Sequence, residues 1–153
     1  MLIVRNMTES DIEAIVSMEK AVFSDAWTAK GIRDTYNQSH AFVMTAEVEN
    51  KLAGYCIVYF VLDEGEIARI AVDNCFRRQG VGRKLLEQVE NTCKEKGIIR
   101  LMLDVRESNE SARAFYKSLG FKEDGVRRNF YEMPKENAVL MSKQVNASEA
   151  NKD

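Results

Sequence analysis

Arg77, Arg78, Gln79, Gly80, Val81, Gly82 and Arg83 form the run "RRQGVGR", and an apolar helical pattern starts inside it. Val81, Leu85, Leu86, Val89 and Cys93 recur at helical spacing until Gly97, a residue suited to ending a helix. A glycine-rich turn that feeds a helix suits an anion. The first-turn N–H groups are free and carry partial positive charge, glycine lets the backbone wrap closely around oxygen atoms, and arginine adds charge. Two phosphate motifs are excluded. No Gly-x4-Gly-Lys-Ser/Thr pattern is present, and the Gly-x-Gly-x-x-Gly fingerprint fails at its third glycine, where Leu85 stands. On this run alone, an anion cradle and a plain turn with solvated arginines stand level.

A second constellation follows in "LDVRESNESARAFYKSLGF". Asp104 closes a strand, Asn109 stands where a helix opens, and Ala112, Phe115, Tyr116 and Leu119 keep helical spacing. A carboxylate and a phenol are groups that general acid–base chemistry uses. Singly, each has a plainer account: a strand-end carboxylate, a helix cap, and a core aromatic whose hydroxyl finds a partner.

The elements that must place these groups can be read in order. The chain has 153 residues, enough for one domain with its own core. "MLIVRN" is strand-like, "TESDIEAIVSMEKAVF" a helix capped by Thr8 with Asp11 three residues on, and "TAKGIRDTY" a short helix capped by Thr28. "AFVMTAEV" and "LAGYCIVYFVL" read as a hairpin, and "IARIAV" as a further strand after the turn "DEGE". Then come the Val81 helix, the strand "IIRLMLDV", the Asn109 helix and two closing strands. The predicted order is β-α-α-β-β-β-α-β-α-β-β: an α/β (mixed α+β) domain over residues 1–145, with about seven strands in one twisted sheet and about four helices. Residues 66–105 form a β-α-β unit, which requires parallel strands. The polar tail, residues 146–153, is expected to be disordered.

Composition narrows the function. Hydrophobic residues make up 45% and charged residues 30%, as in ordinary globular proteins, and the formal net charge is -2. That balance argues against nucleic acid as a partner, including at Arg77-Arg78 and Arg127-Arg128. Cys56, Cys75 and Cys93 show neither metal spacing nor a disulfide framework, so a reducing, cytoplasmic compartment is expected. The N-terminus turns acidic early, unlike a signal peptide, and no apolar run is long enough to cross a bilayer. His40 stands without metal-ligand company, and no metal is expected. Cys75 reads as a small loop residue. A monomer is the default expectation.

"IAVDNCFRRQGVGRKLLE" followed by "LDVRESNESARAFYKSLGF" resembles the acetyl-coenzyme A motifs of the GNAT N-acetyltransferases. The first matches their Arg/Gln-x-x-Gly-x-Gly/Ala loop, the second their Asn-x-x-Ala-x-x-x-Tyr-x-x-x-Gly-Phe helix. "FSDAWT" and "VRRNFY" bring the chain nearest to the ribosomal-protein-alanine (RimI) type of that superfamily. The resemblance runs from residue 1 to about 145 and is strongest between 66 and 131.

The resemblance implies an acetyl-CoA-dependent enzyme that acetylates a protein N-terminal α-amine, as on a ribosomal protein, by direct attack in a ternary complex. Ile70, Ala71 and Val72 would splay from the neighbouring strand, with the Val72 amide polarising the thioester carbonyl. Arg77 to Arg83 would hold the pyrophosphate, and Asn109 the cofactor arm. Tyr116 would be the general acid: a phenol of pKa about 10 is protonated at neutral pH, and its margin over a thiol at about 8.5 is taken to favour protonating the departing thiolate. Asp104, where that type usually carries the longer Glu, would be the base, with Glu66 or Glu64 in the preceding loop as the alternative. An α-amine of pKa about 7.7–8.0 needs only a weak base, whereas a lysine at about 10.4 is handicapped by about 3 kcal/mol. Asp63, Glu64, Glu66 and Glu110 would form an acidic rim for a basic peptide, or a solvated turn. Tyr131 and Trp27 are candidate peptide contacts. The alternatives are the same chemistry on a lysine or small-molecule amine, and a non-catalytic coenzyme A-binding module.

Overall fold

The computed structural model describes residues 1–146. Of the expected disordered tail, all but Asn146 lies outside the described residues. The elements are β1 (Leu2–Asn6), α1 (Ile12–Val22), α2 (Ala29–Tyr36), β2 (Ala41–Val48), β3 (Lys51–Val61), β4 (Glu64–Val72), α3 (Val81–Lys96), β5 (Arg100–Arg106), α4 (Glu110–Ser118), β6 (Lys122–Tyr131) and β7 (Glu136–Gln144), with 3-10 turns at Glu9–Asp11 and Asn74–Phe76. This is the order expected from the sequence.

Local chemistry sets the boundaries. Asp11 accepts the Thr8 N–H at 2.8 Å and completes a capping box, and Thr28 Oγ1 accepts from the Gly31 N–H at 3.1 Å. Glu49 and Asn50 both take positive φ, 50° and 68°, as a two-residue hairpin requires. One reading is corrected. Glu64 and Glu66 are not in a loop: they sit in β4, opposite Val61 and Tyr59 of β3, and the turn is Leu62-Asp63 with Leu62 at φ 54°.

The sheet runs β1-β2-β3-β4-β5-β7-β6, and β4–β5 is its parallel pair. On one face α3 and α4 pack Leu85, Leu86, Val89 and Tyr116 onto Cys56, Val58, Leu103 and Met141. On the other, α1 and α2 pack Ile12, Ile15, Met18 and Ile32 onto Val43, Tyr55, Ile57 and Ala71. These helices cover only the β2–β4 part of that face. Because Leu101, Leu103 and Val105 point into the α3/α4 core, alternation turns Met102, Asp104 and Arg106 to the uncovered side.

Glu19 of α1 is fully buried and anchors the chain after its helix to the sheet. It accepts from Arg69 Nη2 at 3.1 Å, from the Trp27 N–H at 2.9 Å and from the Tyr55 hydroxyl. Arg69 also donates to the Asp25 carbonyl at 2.9 Å and stacks 3.8 Å above the Phe23 ring. The "FSDAWT" loop is thereby fastened to β4 one residue before Ile70.

Candidate active site

The site begins with a gap. Strands β4 and β5 pair in parallel only at Glu64↔Arg100, Gly65↔Leu101 and Glu66↔Met102. Both strands continue, to Val72 and to Arg106, but without pairing. Which backbone groups face the gap follows from the other edge of β4. The Asp73 N–H donates to the Ala53 carbonyl at 2.8 Å, and Ala71 stands opposite Tyr55. Alternation along that antiparallel ladder turns the amides of Ile70 and Val72 away from β3, into the gap. Ala71 instead directs its backbone to β3 and its side chain into the α1/α2 core, so of the three strand residues expected to meet the cofactor, two present free amides.

Beyond Val72 the chain reaches the N-terminus of α3. Gly80 has φ 79°, a left-handed conformation that L-residues adopt at a cost, and no side chain caps the helix. Arg78 is also left-handed, at φ 65°. Gln79 Nε2 donates to the Cys75 carbonyl at 3.3 Å and closes the loop on itself. Among the described residues Arg77, Arg78 and Arg83 make no ion pair, whereas the neighbouring Lys84 pairs with Glu87 at 3.5 Å. Free first-turn amides and unneutralised guanidiniums fit an anion, and the start of α3 with the loop before it supplies both. Gly82 has a different reason from Gly80. A Cβ there would lie 3.1 Å from the tip of the Phe115 ring, so the second glycine of the motif lets α4 close on α3.

Helix α4 carries the third part. Asn109 is its N-cap, its Oδ1 accepting from the Ala112 N–H at 3.2 Å, so the plainer account of this residue is correct as far as it goes. That contact occupies the oxygen; the amide nitrogen is left to donate. Tyr116 is 7% exposed, stacked edge-on with Phe121 at 5.7 Å. Its hydroxyl makes no hydrogen bond among the described residues. Burial, with smaller contributions from Cys56 and Tyr131, pushes the phenol above its usual range.

The uncovered face gathers the charged groups. Burial first, and then the charge of Asp104, push the Glu66 carboxyl upward, while Arg127 pulls it back. Burial and then Asp104 likewise push the Tyr131 phenol upward, against Arg106. Asp104 is thus within electrostatic reach of both Glu66 and Tyr131, and Tyr131 of Tyr116. Glu64 lies two residues before Glu66, at the start of β4 and further from the gap, and Glu110 is exposed in the first turn of α4. Neither joins the cluster. Trp27 gives its backbone N–H to Glu19, and its half-buried ring packs on the α1/α2 core 5.6 Å from the Arg69 guanidinium.

Sequence reading missed Arg106, whose signal was the two-residue spacing from Asp104 that puts both on one face of β5. It also missed Glu19, which resembles any other acidic helix residue until the fold places Arg69 beside it.

Residues 12–121 match the Acetyltransferase (GNAT) family. The ribosomal protein bS18-alanine N-acetyltransferase of Escherichia coli (strain K12) is 34% identical over 142 residues, 91% of this chain and 95% of its own. Its namesake in Haemophilus influenzae is 34% identical over 146 residues, 93% of this chain and 98% of its own. The crystal structure of the ribosomal-protein-S18-alanine N-acetyltransferase from Escherichia coli superposes with a TM-score of 0.89 at 31% identity, covering 99% of this chain and 98% of that one.

Proposed function

The chain belongs to the GNAT acetyltransferase family, and on that premise we propose that it transfers an acetyl group from acetyl-CoA to the N-terminal α-amine of a protein, of the kind its relatives act on in ribosomal protein bS18. The observation that carries the reading is the β4–β5 gap, with free amides of Ile70 and Val72 on one lip, Asp104 on the other, and Tyr116 beneath.

The donor is acetyl-CoA. The α3 N-terminus with Arg77, Arg78 and Arg83 holds its diphosphate, the Asn109 amide donates to its arm, and the Val72 amide donates to the acetyl carbonyl, favouring charge on that oxygen. When bound, acetyl-CoA supplies the activated acetyl group. Asp104 takes a proton from the acceptor ammonium, with Glu66 beside it. An α-amine suits this weak base: roughly a tenth of it is neutral at pH 7, against far less of a lysine.

The expected role of Tyr116 changes. A phenol held above about 10 keeps its proton more tightly than a thiol at about 8.5, so full transfer to the leaving sulfur is uphill rather than downhill. Tyr116 contributes instead a donated hydrogen bond that stabilises the thiolate as it departs. No observation favours the coenzyme A-binding module: Asp104 and the Tyr116 hydroxyl are both left without partners among the described residues.

The test is direct. The protein is incubated with acetyl-CoA and matched basic peptides whose α-amine is free or blocked, and the acetyl group is located by mass spectrometry. Acetylation of the free N-terminus is expected. Reaction confined to lysines of the blocked peptides would refute the α-amine reading.

A further inference from the structure

The end of the β6–β7 hairpin is held in an unusual way. Regular pairing between the two strands lapses after Arg127↔Ala138 and resumes only at Tyr131↔Glu136. Asn129 within this stretch and Met133 in the turn beyond it take positive φ, 53° and 52°. The strand ladder therefore holds Tyr131 through the single pair with Glu136, cut off from the regular ladder. A side chain from the neighbouring strand supplies the rest of its support.

Arg106 of β5 reaches under the hairpin. Its Nη1 donates to the Pro134 carbonyl at 3.0 Å and to Glu136 Oε1 at 3.2 Å, and its Nη2 donates to the Glu132 carbonyl at 3.1 Å. Its guanidinium carbon lies 4.4 Å from the centre of the Tyr131 ring. The other oxygen of Glu136 accepts the Ser108 N–H at 2.6 Å, beside the Asn109 cap. One planar group thus holds two carbonyls, a carboxylate and an aromatic face at once, a task for which a lysine ammonium, with its three donors on one atom, lacks both the span and the plane.

We propose that Arg106 is a positioning residue for the acceptor: it sets Tyr131 beside Asp104 at the mouth of the gap, so that the phenol forms one wall of the site that receives the acceptor amine. The proposal rests on the reading of Tyr131 as an acceptor contact. Arg106 itself touches neither substrate. Its effect is exerted on acceptor binding and passes through Tyr131, which separates it from a general stabilising role.

The experiment is a double-mutant cycle in steady-state kinetics with acetyl-CoA and a peptide acceptor. Arg106→Gln and Tyr131→Ala are each expected to raise the peptide KM roughly tenfold, with kcat and the acetyl-CoA KM within about twofold, and the double variant to match Tyr131→Ala alone. Multiplying effects in the double variant, or an acetyl-CoA KM that moves as far as the peptide KM, would overturn the role of Arg106 and leave that of Tyr131 standing. A Tyr131→Ala enzyme with the wild-type peptide KM overturns both. Arg106→Lys carries the test if the glutamine variant does not fold. It keeps the charge but not the fork, and about a threefold rise in peptide KM is expected. A wild-type KM there refutes the proposal.

Discussion

At the residue scale, the decisive comparison is between two carboxylates and one phenol. Asp104 has a methylene fewer than the glutamate that the resemblance leads one to expect, and Glu66 stands across the gap on the same face, its pKa raised by burial and by Asp104. If Asp104 is the base, Asp104→Asn should lower kcat/KM by about 10²-fold at neutral pH. The deficit should narrow as pH rises past about 8, where the acceptor amine loses its proton unaided. In the same pH–rate series, Tyr116→Phe should lower kcat at every pH without narrowing, because what it loses is a hydrogen bond and not a titration. A profile for Asp104→Asn that keeps the wild-type shape would transfer the base role to Glu66. The sequence singled out Asp104, Tyr116 and Asn109 as candidates through their positions in a known pattern, Asp104 with a shorter side chain than the pattern usually has. It could not show that Glu66 rather than Glu64 approaches Asp104, since that depends on where β4 and β5 stop pairing.

At the element scale, the two glycines of "RRQGVGR" turn out to answer different demands. Gly80 answers a backbone angle, and Gly82 the approach of Phe115. Gly82→Ala gains up to about 1 kcal/mol of helix propensity but drives a methyl group against the Phe115 ring. The expected result is little change in stability and a several-fold rise in the acetyl-CoA KM, because α4 carries Asn109 and Tyr116 away from the gap. Phe115→Leu in the same chain should restore the KM. Failure of that rescue would show that Gly82 serves the cofactor directly. Helix and strand order was legible throughout, since caps, hairpin turns and apolar spacing all agreed. The reason for each glycine was not, because contact between α3 and α4 is set by tertiary packing.

At the scale of the whole molecule, Glu19 ties one layer to the other. Glu19→Ala would leave Arg69 charged and poorly paired, with the Tyr55 hydroxyl and the Trp27 amide unsatisfied, at a cost of about 3–5 kcal/mol measurable by urea denaturation. A loss under about 1 kcal/mol would show that water replaces the carboxylate without penalty. The unpaired stretch of β4 and β5 has a consequence of its own. The sheet is two leaves joined by a short spine at Glu64–Glu66, β1 to β4 forming one and β5, β7 and β6 the other. Helices α1 and α2 rest on the first leaf alone, whereas the core beneath α3 and α4 draws residues from both. The binding of the book therefore lies in α3 and α4, the same two helices proposed to hold the donor, so the parts that set the width of the opening are those proposed to grip what enters it.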